Sequence, residues 1–113
     1  MNESPLFIRT YDFLMWLVPQ VQKFPRAHRF TLAERIQRLA FDFQDSLVAA
    51  GKSENALRYE RLQQADIQLE QLRQWVRFAR DNNLFTLKQY EHAARLMAEV
   101  GRLLGGWLKK LTG

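Results

Sequence analysis

The sequence predicts an all-α protein, an up-down-up-down antiparallel four-helix bundle folded as a single domain over residues 1–113. The chain is long enough for one hydrophobic core and too short for a second. Only 5 glycines and 3 prolines occur, which disfavours a turn-rich β fold. Helix start signals, combined with apolar residues at steps of three and four, predict helices at about 5–22, 31–50, 54–82 and 87–111.

Three of these helices begin at residues that favour helix N-termini. Ser4 places a capping hydroxyl before Pro5, and proline is favoured at the first helical position. Residues 31–34 (TLAE) have the pattern of a capping box, in which a threonine hydroxyl and an acidic or amide side chain each accept a free backbone N–H. Residues 86–89 (TLKQ) repeat that pattern ahead of the fourth helix.

Other residues predict where the helices end. Gly51 is placed to end the second helix as its C-cap, and Ser53 can cap the third. Asn82 and Asn83 close the third helix. Pro19 should kink or shorten the end of the first helix, because its ring clashes with the preceding turn.

Each predicted helix carries a seam, a row of apolar residues that recur every three or four positions. Such seams are typical of antiparallel helices that cross at a shallow angle. The first two seams consist of Phe7, Tyr11, Leu14, Val18 and Val21, and of Leu32, Ile36, Leu39, Phe43, Leu47 and Ala50. The other two consist of Leu62, Ala65, Leu69, Leu72, Val76 and Ala79, and of Leu87, Tyr90, Ala94, Met97, Gly101, Leu104, Leu108 and Leu111.

Some large apolar residues fall off these seams when they are placed at 100° per residue. A monomeric bundle would expose them to water, so we expect copies of the chain to associate through them. The alternative is that a twisted or kinked bundle buries some of them within one chain. The residues expected at the oligomer interface are Phe13, Trp16, Phe41, Val48, Ile67 and Phe78.

Positive charge is segregated along the chain, which has a net charge of +5. Residues 23–38 hold five basic residues against one acidic, whereas residues 39–72 hold three against six. Residues 73–80 add three arginines and no acid. In an antiparallel bundle the start of the second helix lies beside the end of the third, so both basic segments meet at one end. Their members are Arg26, Arg29, Arg35, Arg38, Arg73, Arg77 and Arg80.

The fourth helix carries a further basic stripe, because Lys88, Arg95, Arg102 and Lys109 recur every seven residues. Arginine favours bidentate contact with phosphate, so these faces favour a polyanionic partner, RNA or DNA, bound through its backbone. The alternative is a solvated face that only keeps the bundle soluble. No helix-turn-helix, zinc finger or aromatic RNP motif accompanies the charge, so base-specific reading is not predicted.

Catalytic, metal and cofactor motifs are missing. The chain has no cysteine, which excludes disulfides, thiolate nucleophiles and cysteine-bound metals. No H-E-x-x-H, Walker A or G-x-S-x-G motif occurs, and neither His28 nor His92 follows a glutamate by three residues. We therefore expect no enzymatic activity, cofactor, metal or small-molecule substrate. The N-terminus has no signal pattern and no long apolar run, so a cytoplasmic protein without a membrane partner is expected.

Two stretches of the sequence are similar to a known family. Residues 23–36 (KFPRAHRFTLAERI) resemble the helix 1–2 junction of small four-helix-bundle proteins. That family includes proteins encoded in ribosomal-RNA intervening sequences and the accessory variability determinant (Avd) of diversity-generating retroelements. Residues 90–94 (YEHAA) and 100–110 (VGRLLGGWLKK) look most like the retroelement branch.

The resemblance implies a homopentameric barrel that binds template RNA or an RNA–DNA hybrid. It also implies association with the retroelement's reverse transcriptase, to support cDNA synthesis in mutagenic retrohoming. A charge of +5 is mild for a nucleic-acid binder, so part of the basic surface is expected to receive the polymerase. The alternative is a structural protein of the ribosomal-RNA type without an essential nucleic-acid role. The matching motifs carry over Arg26, Arg29, Arg35, Arg95, Arg102, Lys109 and Lys110 as nucleic-acid contacts.

Overall fold

The computed structural model describes residues 4–112, and over that range the chain is all-helical with four long helices. A short α-helical turn, Arg26–His28, and a π-helical turn, Arg29–Ala33, precede the second long helix, and together we call them the lead-in. The long helices are α1 (Pro5–Gln22), α2 (Glu34–Gly51), α3 (Asn55–Asp81) and α4 (Leu87–Thr112). The predicted limits lie within three residues of these, and the largest difference is at the start of α2.

Aromatic contacts at the two ends of the molecule show that α1 and α4 run antiparallel. Phe24, after α1, and Phe85, before α4, pack edge to face with ring centroids 5.2 Å apart. We call this the junction end, because it also holds the lead-in and the α3–α4 connection. At the terminal end, Phe7 of α1 meets Trp107 of α4 at 6.3 Å. The result is the packing that the four-helix-bundle prediction requires.

The seams predicted for α2 and α3 are confirmed in full, since all twelve residues are buried. The seam predicted for α4 is wrong at most positions, since only its Met97 and Leu104 are buried. The buried row runs instead through Ala93 and Val100, next to the predicted Ala94 and Gly101, and Leu87 and Leu111 at the helix ends are exposed. The core of the bundle draws on all four helices, and Phe13 and Leu17 of α1 are among its largest fully buried side chains.

The seam predicted for α1 is wrong in its middle. Tyr11 is exposed, and the buried side instead runs through Leu6, Thr10, Phe13 and Leu17. Because α1 is apolar on nearly every side, the spacing alone does not distinguish one face from another. Phe13 has no exposed surface at all, so it belongs to the core and not to an interface between copies.

The capping box at residues 86–89 is formed. The Thr86 N–H donates to Gln89 Oε1 at 2.8 Å, and the Gln89 N–H donates to Thr86 Oγ1 at 3.1 Å. The box predicted at residues 31–34 does not form, because the chain already becomes helical after Pro25 and Thr31 lies inside the π-helical turn. Ser4 occupies the N-cap position of α1, but its hydroxyl makes no capping hydrogen bond.

The helix ends differ from the predicted ones in detail. Gly51 is the last residue of α2 and has no left-handed conformation, while Asn55 takes a positive φ of 54°. The Ser53 hydroxyl donates to the Ala49 carbonyl at 2.7 Å, so it closes α2 rather than capping α3. Asn83 has a φ of 60° and ends α3 as predicted. Pro19 lies inside α1, which continues to Gln22.

Arg58 is a basic residue with a structural role that the sequence did not reveal. Its Nε donates to the carbonyls of Ala50 at 3.1 Å and Ser53 at 2.9 Å, so it satisfies groups that the end of α2 leaves free. A cation at a helix C-terminus is also favoured by the helix dipole. This arginine therefore fastens α3 to the end of α2.

No helix within residues 4–112 is both long enough and apolar enough to cross a membrane.

The two capping-box patterns provide a matched test of this description. Thr86→Ala removes a formed cap and should lower the free energy of unfolding by about 1 kcal/mol. Thr31→Ala removes the same hydroxyl from an exposed site where it makes no capping bond, and should change the stability by less than about 0.5 kcal/mol. Urea unfolding followed by circular dichroism measures both. Equal losses in the two variants would contradict the assignment.

Candidate nucleic-acid interface

Contacts between α3 and α4 place two predicted basic sets on one side of the molecule, which we call the α3/α4 face. The Arg80 guanidinium lies over the Tyr90 ring, 4.4 Å from its centroid. Arg73 rests against α4 at Gly101, where a side-chain carbon would overlap its Nη2 atom. The cations of this face are Arg73, Arg77, Arg80, Lys88, Arg95, Arg102 and Lys109.

The α4 members of this face form a row that is unpaired within the described part of the chain. All four are exposed, and their spacing of seven residues puts them opposite the buried row of α4. Among residues 4–112, no carboxylate oxygen lies within 4.0 Å of their charged nitrogens. Glu99 interrupts this row in the sequence, but its Oε1 accepts a hydrogen bond from Arg9 Nε of α1 at 3.0 Å. The row is therefore free to meet an external anion.

The α3 arginines are partly neutralised. Glu70 Oε1 lies 3.1 Å from Arg73 Nη1, and Asp81 lies 2.7 Å from Arg80 and 4.0 Å from Arg77. The absence of acids within residues 73–80 was thus misleading, because the acids that flank this segment reach back to it. Exposed pairs of this kind contribute little to stability.

Hydrogen bonds shift the pKa of two of these groups. The amide of Gln74, and then Arg73, lower the pKa of Glu70 below its ordinary value. The hydrogen bond with Asp81 raises the pKa of Arg80. Because the folded pKa of Glu70 is depressed, its small contribution to stability is present above the ordinary pKa and is lost as the pH falls through the lowered one. At neutral pH both groups are charged.

A second basic cluster lies at the junction end, on the lead-in and the first turns of α2. Arg35 lines a groove of about 520 Å³ together with Trp75 and Phe78 of α3. The start of α2 therefore lies beside the end of α3, as the sequence predicted. Arg38 donates to Glu34 at 2.7 Å, whereas no carboxylate of residues 4–112 lies within 4.0 Å of the other three guanidinium groups. The members of this cluster are Arg26, Arg29, Arg35 and Arg38.

The predicted nucleic-acid contacts do not converge on one compact site. Lys109 and Lys110 lie in the last turn of α4, at the terminal end, far from the lead-in. With a rise of about 1.5 Å per residue, Lys88 and Lys109 are separated by roughly 31 Å along the helix axis. The bundle itself is 43 Å long. The structure thus provides a strip along the α3/α4 face and a separate cluster at the junction end.

The residues predicted for the oligomer interface also fail to lie on one surface. Phe41 and Val48 of α2 are 48% and 45% exposed, and they share a surface with Ile8, Tyr11 and Met15 of α1, all of them exposed. We call this surface the α1/α2 face. Its two grooves, of about 340 and 370 Å³, have Gln44 in both linings, and the Gln44 Oε1 atom is buried without a hydrogen-bond partner. The sequence had indicated Met15 as an apolar residue off the seam of α1, but Ile8 was missed and Tyr11 was wrongly assigned to the seam.

The remaining predicted interface residues lie elsewhere. Trp16 packs on the bundle core, and its indole meets the His92 ring edge to face at 4.7 Å. Ile67 is exposed on α3, and Phe78 lines the junction-end groove. Within residues 4–112 no group of three or more acidic or histidine side chains could hold a metal ion.

The fold and the surface together define a four-helix bundle with basic surfaces on the α3/α4 face and at the junction end, and an apolar surface on the α1/α2 face. The chain belongs to the bAvd-like family, the bacterial accessory variability determinants, since the family model matches residues 6–111. This match confirms the resemblance seen in the lead-in and in α4. Among curated proteins, none matches the chain. Membership indicates an accessory role in diversity-generating retroelements, and the family is generally non-catalytic.

Proposed function

We propose that this protein is a non-enzymatic retroelement accessory that binds nucleic acid, assembles into a homo-oligomer and associates with the reverse transcriptase. One observation carries the nucleic-acid part: the α4 row of four exposed cations, which have no carboxylate partner within residues 4–112, with three arginines of α3 beside it. The ligand is template RNA or its hybrid with cDNA, bound through phosphates.

The spacing of the row suits a backbone ligand. Successive cations are two helical turns apart, about 10.5 Å, so they follow a line and do not enclose a pocket. Cations in a line bind a linear polyanion by releasing its counterions, and such binding weakens as salt rises. Arg95 and Arg102 are central in this row, and within residues 4–112 neither takes part in a side-chain hydrogen bond that its loss would break.

Charge reversal of this pair tests the interface. Arg95→Glu with Arg102→Glu should weaken binding to a structured RNA roughly tenfold or more, and reduce the slope of log K against log salt by about one to two. Fluorescence anisotropy over a salt series, on protein freed of co-purified nucleic acid, measures both quantities.

The matched control is Lys52→Glu with Arg61→Glu, two exposed sites near the terminal end. Each double variant replaces two cations by anions, so the change in net charge is the same. The control should lose far less affinity. An equal loss in the two variants would show that only the total charge matters and would contradict the α3/α4 face as the contact surface.

Self-association is proposed through the α1/α2 face. Five large apolar side chains lie together there around two grooves, and an apolar surface of that kind favours burial against another protein surface. Family resemblance points to a pentamer. In a closed ring each copy would present this face to its neighbour or to the interior.

A charged substitution in the α1/α2 face should disrupt the assembly. Phe41→Asp would place an unpaired carboxylate in the buried interface, so the mass in light scattering should fall towards the 13.4 kDa of one chain. Leu57→Asp is the control, because Leu57 of α3 is 46% exposed, close to the value for Phe41, and lies outside this face. If both variants keep the wild-type mass, the face is not the interface.

Association with the reverse transcriptase is the third part of the proposal, supported by family membership. The protein should co-purify with the polymerase of its own retroelement after nuclease treatment, which removes bridging RNA. The control variant with Lys52→Glu and Arg61→Glu should co-purify with the polymerase as well as the wild-type protein does. Complete release of the polymerase by nuclease would contradict a direct contact.

A further inference from the structure

The groove at the junction end combines exposed aromatic rings with positive charge. Trp75 and Phe78, one turn apart on α3, meet edge to face with ring centroids 5.5 Å apart, and both remain partly exposed. The opposite wall consists of His28, Thr31, Leu32 and Arg35. At about 520 Å³ the groove falls within the size range of small-ligand sites.

The polar groups around these rings are basic or neutral. Arg35 lies in the groove, and Arg26 and Arg29 lie on the lead-in that precedes it. No carboxylate of residues 4–112 lies within 4.0 Å of these three guanidinium groups. Asn82 adds an amide at the end of α3. An anionic ligand that carries a flat apolar group would match both the charge and the rings of this surface.

One wall of the groove has an unusual backbone. Leu32 belongs to the π-helical turn of the lead-in, and such turns occur frequently at functional sites. The regular α-helical start that residues 31–34 predicted would have placed this wall differently. The aromatic wall, by contrast, is part of the long regular helix α3 and is held in place by the core below it.

We infer that this groove binds an unpaired nucleotide of single-stranded nucleic acid, with the base stacked on the Trp75 ring beside Phe78 and the phosphate held by Arg35. Proteins that bind single strands combine a positively charged groove with aromatic side chains on which bases stack. A base within a duplex is already stacked on its neighbours and does not present its face to such a groove. The inference rests on the proposed nucleic-acid function and specifies that this end of the molecule selects unpaired segments.

Alanine substitution of the stacking ring tests the inference. Trp75→Ala should weaken binding to a single-stranded oligonucleotide by roughly ten- to a hundredfold, as the loss of one aromatic–base stack does, and leave binding to a duplex of equal length unchanged. Leu57→Ala is the control on the same side of α3, eighteen residues or five turns earlier, and should change neither affinity. Anisotropy with both ligands, at one salt concentration, gives the comparison.

A second variant keeps the test decisive if Trp75→Ala does not fold. Trp75→Phe retains a stacking ring, so it should bind the single strand within about threefold of wild type. The quenching of tryptophan fluorescence that accompanies binding to the wild-type protein should then be lost. Quenching that persists in Trp75→Phe would place the base at another tryptophan and overturn the inference.

The remaining outcomes separate this inference from the proposed function. Salt-sensitive RNA binding with equal affinities for Trp75→Ala and Leu57→Ala overturns the stacking site and leaves the α3/α4 face intact. A change in assembly mass caused by Trp75→Ala would show that a second copy of the chain occupies the groove, which also overturns it. If the wild-type protein binds neither strand form even at low salt, both proposals fail together.

Discussion

The register between α2 and α3 is the constraint on which the rest of the molecule depends. Their seams are buried along the whole shared length, and in the middle Ser46 Oγ donates to Gln68 Oε1 at 2.8 Å, a polar contact that suits only one register. This register places Arg35 opposite Trp75 and brings the lead-in beside the end of α3. A slip of one turn would break the hydrogen bond and move the groove walls apart.

The α3/α4 face and the α1/α2 face follow from how α4 and α1 pack against the α2–α3 pair. α4 packs on α3 with its row of cations outward, so the cations of the two helices lie on the same side of the bundle. α1 packs on α2 and α4 with more apolar surface than they cover, which leaves Tyr11 and Met15 exposed. Phosphate binding and self-association are therefore proposed on different sides of the bundle, and neither needs to displace the other.

The apolar spacing in the sequence placed the buried sides of α2 and α3 correctly and misplaced those of α1 and α4. All residues predicted for the seams of α2 and α3 are buried, whereas α1 is apolar on nearly every side, so its spacing did not identify the buried one. On α4 the adjacent residues Ala93 and Ala94 fit the spacing equally well, and the buried row runs through Ala93. Cation positions on α4 followed from its spacing. The ion pairs of the molecule could not be predicted in the same way, because Asp81 reaches Arg80 and Glu99 reaches Arg9 only through side-chain geometry and tertiary packing. The groove at Trp75 depends on the α2–α3 register and was missed for the same reason.

The heptad spacing of the α4 row has an electrostatic consequence for the free protein. Neighbouring cations stand about 10.5 Å apart along the axis, slightly more than the Debye length of about 8 Å at physiological ionic strength. In the cell each charge is therefore largely screened from the next, and α4 can carry the row with little self-repulsion. A bound strand would meet these charges as nearly independent points, so contacts could form and break one at a time while the strand shifts along the helix.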